Sequence, residues 1–145
     1  MTTDPRRRWW GLALGLYVVA LLALVLAPSV PGPNRVMAEV VELLVRAGVP
    51  RYPTGEVVEF GLNIAMAVPL TVLASLLWPQ PTWRDWTAWA FVVFGSVEAA
   101  QAVLLPERHG SFSDIAANTA GCLIGAIAVD VVRRRQARPA ESAPA

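Results

Sequence analysis

The sequence predicts an all-α membrane protein: four transmembrane helices, with a short amphipathic interfacial helix between the first and second. Three observations lead there. Apolar runs long enough to cross a bilayer, about 20 residues each, recur along the chain. Groups of proline, glycine and polar residues punctuate them, as helix ends require. The composition is 55% hydrophobic with only 16% charged residues, and the mean hydropathy of +0.48 stands well above that of a soluble domain. A chain of 145 residues has room for one domain. We read residues 9–132 as the four-span unit, 1–8 as a cytoplasmic N-terminal arm and 133–145 as a disordered cytoplasmic tail.

The first run, residues 9–27, opens with Trp9 and Trp10, which suit a headgroup interface. A cleaved signal peptide is the rival reading, and the arginines ahead of the run also invite a twin-arginine export signal. The run is longer than a usual apolar signal core, and Pro28 follows the would-be cut, so a retained span is favoured. Pro28, Pro31, Gly32 and Pro33 then break the helix. Residues 34–48 form the interfacial element. There Arg35, Glu39, Glu42 and Arg46 share one narrow helical stripe and valine, leucine and methionine cover the rest. Pro50 and Pro53 end it, and Thr54 is placed to cap the next helix.

The second span covers residues 57–78, with Pro69 inside it removing one backbone hydrogen bond. Thr82 and Asp85 read as a capping box opening the third span, which continues to Leu105. A loop, 106–113, leads to the fourth span, 114–132. All 12 basic residues are arginine. Arg6, Arg7, Arg8 and Arg133, Arg134, Arg135, Arg138 gather at the two ends, so the positive-inside rule puts both termini in the cytoplasm.

That topology fixes the depth of the polar residues. The second span enters from outside, so Glu59 and Asn63, four apart, share a face in its first turns. Counting back from Leu105 at 1.5 Å per residue, Gln101 and Glu98 lie about 6 and 10 Å inside the outer end of the third. Asp114 stands at the mouth of the fourth span with Asn118 one turn deeper, and Arg108 lies in the loop between. Three spans thus deliver acids and amides to one slab in the outer half of the membrane. A carboxylate facing lipid costs a few kcal/mol or more, so these groups should point into the bundle. Asp114, Asn118, Gly121, Gly125 and Ala128 lie on one face of the fourth span, and the two glycines let a neighbour approach closely. Arg108 is expected to neutralise Asp114 or Glu98. Asp130, nearer the other face, is expected to pair with the C-terminal arginines.

These residues resemble the VanZ-like family of small bacterial integral membrane proteins. The likeness rests on Glu59-Phe60 with Asn63 and Pro69, then Ser96 with Glu98 and Gln101, then Pro106 and Arg108, and lastly Asp114, Asn118-Thr119, Gly121 and Gly125. It covers the second to fourth spans. Glu107 departs from it, since a glycine often precedes the arginine there, and an acid at that place would pair with Arg108. The family takes its name from low-level resistance to the lipoglycopeptide teicoplanin. The resemblance therefore implies a multi-pass protein of the bacterial plasma membrane and cell envelope, and brings no reaction with it.

Three readings of the polar set follow. In the first, Glu59, Asn63, Glu98, Gln101, Arg108, Asp114 and Asn118 line a pocket for an envelope lipid, a lipid-linked intermediate or a lipoglycopeptide, with Arg108 taking a phosphate or carboxylate. In the second, Glu98 and Asp114 with Glu59 perform acid–base chemistry on such a lipid. In the third, the set only welds a partner-binding bundle: Asp114 completes a capping box with Ser111, and the amides are interhelical glue worth about 0.6 kcal/mol each. Glu98 resists that reading most, being deepest and unable to snorkel. No cofactor is expected. One histidine, His109, and one cysteine, Cys122, make no zinc set or internal disulfide, and no phosphate loop or serine–histidine–acid order is present. A net charge of +1 gives no reason to expect nucleic acid. The expected partners are the bilayer, such a ligand, and a second copy or another membrane protein.

Overall fold

A computed structural model describes residues 5–26, 31–104 and 111–137. All regular structure among the described residues is helical: α1 (Pro5–Leu26), α2 (Pro31–Arg46), α3 (Arg51–Leu77), α4 (Trp83–Leu104) and α5 (Phe112–Ala137). Among the described residues, three stretches are long and apolar enough to cross a membrane, namely Thr54–Leu77, Trp83–Leu104 and Phe112–Ala137.

The α3–α5 pair is the centre. α4 lies on the other side of α5, while α1 and α2 lean on α3. Small side chains make the heart of this packing. Ala67 of α3, Ala90 of α4 and Cys122 of α5 form a buried cluster with Phe94 packed against it. Few large side chains are needed where backbones run this close. The broad apolar surfaces that remain, Leu16 and Val19 on α1 and Trp89, Phe91 and Val92 on α4 among them, are exposed as hydrocarbon-facing surfaces are.

α1 is pinned to α3 by Tyr17, whose hydroxyl donates to the Met66 carbonyl at 2.6 Å. That carbonyl is next to Ala65 O, the acceptor that Pro69 leaves without its usual helical donor. α2 is amphipathic as expected, and its Glu42 accepts from Arg46 at 3.4 Å and from Arg51, the first residue of α3, at 2.9 Å. α5 is tied to the far end of α3 by Arg133, which donates to the carbonyls of Ser75 and Pro79. A cation near a helix C-terminus also meets the negative end of its dipole. Arg134 pairs with Asp130 at 2.9 Å, the role expected of that carboxylate.

The helix ends differ from the sequence reading in five places. Pro31 and Pro33 begin α2, since a first-turn proline lacks only an N–H that has no helical acceptor. α2 ends before Pro50 is reached: Gly48 takes φ 93°, and the N–H groups of Gly48 and Val49 return to the carbonyls of Val45 and Leu44, a Schellman closure that a left-handed glycine permits. α3 starts at Arg51, so Thr54 caps nothing. It sits inside the helix, and its hydroxyl bonds back to the Pro50 carbonyl. At the ends of the chain, residues 5–8 belong to α1 and 133–137 to α5, so the expected arm and disordered tail are helical over those stretches. The Thr82–Asp85 capping box forms as expected, with Asp85 Oδ2 accepting from the Thr82 N–H and hydroxyl, each at 2.7 Å.

Candidate functional site

The polar residues of interest lie where α5 begins and α4 finishes, beside the middle of α3 rather than its first turns. Asn63, in the fourth turn of α3, donates from Nδ2 to Oδ1 of Asp114 in the first turn of α5, at 2.9 Å. Both residues are half-buried. On α4, Glu98 is half-buried and its Oε1 accepts the backbone N–H of Ser111, the residue just ahead of α5. Two carboxylates from two helices therefore converge on one helix start, with an amide from a third.

This arrangement revises the capping-box expectation. The Ser111 N–H that a local box would give to Asp114 goes to Glu98 instead, so α4 caps α5 across the interface. Asp114 is turned towards α3. An acid also suits this position because the N-terminus of a helix carries the positive end of its dipole. Sequence spacing alone missed this exchange: Ser111 and Asp114 are three apart and look self-sufficient, whereas the Glu98 link spans 13 residues and a loop.

The remaining residues divide. Asn118 is half-buried one turn below Asp114, and Gln101 is half-buried one turn beyond Glu98. Glu98, Gln101 and Asp114 all take part in further contacts within the protein. Glu59 is exposed on α3, one turn from Asn63, and among the described residues no bond joins it to the cluster. Of the two, the α5 contact takes in Asn63, which is half-buried and bonded to Asp114. Arg108, the expected ion-pair partner or anion clamp, lies outside the described residues, as does His109.

Below the cluster the α3–α5 contact tightens to a backbone approach. A Cβ at Gly121 would press on the Ile64 carbonyl and lie 2.7 Å from Ala67 Cβ; one at Gly125 would lie 2.7 Å from the Val68 carbonyl oxygen. The glycine step thus does what its spacing implied. Ala128, expected on the same face, is exposed; the buried line moves from Gly125 to Val129, the next residue four along. Polar pair and glycine step occupy one interface.

The chain matches the VanZ/LLP1 family over residues 14–133. It belongs to that family. The VanZ/LLP1 match takes in α2, α3, α4 and most of α1 and α5, and so includes every residue of the cluster. No curated protein and no solved structure matches the chain. With a family that includes all three span-length helices, the chain is a membrane protein of the VanZ type.

Proposed function

We propose that this VanZ-type protein is a four-span protein of the bacterial plasma membrane, with α1 as the fourth span and both termini cytoplasmic. It binds an envelope lipid, a lipid-linked cell-wall intermediate or a lipoglycopeptide of the teicoplanin type through the polar end of α3, α4 and α5. The observation that carries this reading is the convergence of Asn63, Asp114 and Glu98 around the start of one helix, inside surfaces otherwise fit for hydrocarbon. Polar groups kept within such surfaces mark ligand paths by default. In this reading Asn63, Asp114 and Glu98 hold the wall of the site, Gln101 and Asn118 orient the ligand's polar part, and Arg108 takes its phosphate or carboxylate. Glu59 stands at the exposed rim.

A second reading has its own support. Asp114 and Glu98 already accept hydrogen bonds within the protein, as groups that weld a scaffold do. The two readings part in one experiment. Arg108→Ala and Glu98→Gln are expressed to wild-type level, and lipid in gently purified protein is identified by mass spectrometry alongside a resistance assay. Loss of a bound lipid or of resistance with an unchanged thermal transition supports binding. Full retention in both variants overturns it, and a lowered transition with function intact supports the scaffold.

A further inference from the structure

We propose a second, independent lipid site: a groove between α4 and α5, at the α4 end far from Glu98, that seats one anionic phospholipid with its phosphate on Arg84. The groove has a volume of about 520 Å³ and is lined by Arg84, Ala88, Phe91 and Val92 of α4 with Thr119 of α5 across from them. Arg84, Ala88 and Phe91 follow at helical spacing, so one face of α4 presents a cation and then an apolar track. From Arg84 to Val92 that track is about 12 Å long at 1.5 Å per residue, enough for much of the upper half of an acyl chain.

The charge pattern selects an anion. Arg84 forms no ion pair among the described residues; its guanidinium lies over the Trp83 ring, 5.1 Å from the centroid. An indole and an arginine together are the pair that anchors at headgroup depth. Asp85, the nearest acid in sequence, is occupied by Thr82 in the capping box and does not line the groove. Arg133 and Arg134 on α5 are taken up by the Ser75 and Pro79 carbonyls and by Asp130. Arg84 is therefore the cation that lines this mouth and is placed to meet a phosphate.

The test is native mass spectrometry of the full chain in detergent, titrated with phosphatidylglycerol or phosphatidylcholine. We expect one tightly held phosphatidylglycerol, preferred about tenfold over phosphatidylcholine. Arg84→Gln should remove the preference, Ala88→Trp should remove the bound lipid by filling the track, and Arg135→Gln should change neither. Free glycerol phosphate should not compete. Unchanged binding in Arg84→Gln and Ala88→Trp overturns the site, and so does equal loss in Arg135→Gln, which would reduce the effect to general surface charge. Arg108→Ala, which tests the polar end, should leave this preference intact, so the two sites fail separately.

Discussion

The Asn63 amide nitrogen sits 2.9 Å from the Asp114 carboxylate, joining the first half of α3 to the first turn of α5. The bond sits above the glycines that bring the two backbones close, on the most extensive helix pair among the described residues.

A double-mutant cycle with Asn63→Ala and Asp114→Ala should return a coupling of about 1 kcal/mol, within the range for interhelical hydrogen bonds in membranes. Reversible unfolding in mixed detergent measures it. A coupling indistinguishable from zero would mean that the bond adds nothing to the folded state.

Gly121→Ala should lower stability by about 1–3 kcal/mol, because the new methyl meets Ile64 backbone and Ala67, neither of which can swing aside. Gly95→Ala is the matched control, with nothing within 4 Å of the added carbon, and should unfold like wild type. The same detergent transition reads both.

Glu98→Ala should loosen the start of α5, since Ser111 loses its acceptor. Hydrogen–deuterium exchange over residues 111–115 should rise several-fold, while the middle of α5 stays protected. Glu98→Gln keeps an oxygen at that place and should restore most of the protection, although a neutral acceptor holds less strongly than a charged one. Equal exchange in all three proteins would remove Glu98 from its capping role.

The proposed topology, four spans with inward termini, makes a labelling prediction. In a Cys122→Ala background, Val49→Cys should react with an impermeant maleimide added to intact cells, and Ser142→Cys should react only after lysis. Val49 is exposed at the turn after α2, which makes it a fair reporter. The opposite pattern inverts the protein and moves the polar end to the cytoplasmic side.

Much of this fold is legible in the residues because hydrocarbon imposes simple rules on length and polarity. The apolar runs around Ile64, Ala90 and Cys122 become helices, the Thr82–Asp85 box forms, and Asp130 finds an arginine. Helix ends are less legible. Pro31 and Pro53 look like breakers yet stand in first turns, and Gly48, not Pro50, closes α2. Arginines at 6–8 and 133–135 read as loose tails because charge hides the helix that continues through them. Partner choice is the least legible. Spacing puts Asp114 beside Ser111, but the cross-helix links to Asn63 and Glu98 depend on how α3 and α4 lean on α5, which no local pattern encodes.

Arg133 gives α5 a second fastening to α3, at the opposite end from Asp114. Nineteen residues separate the two, about 28 Å along the axis, close to the thickness of the hydrocarbon layer. α3 and α5 are in effect riveted at both ends of their contact and zipped along the seam between. An added load along the chain axis would have to break both ends of this pair before the seam could shear.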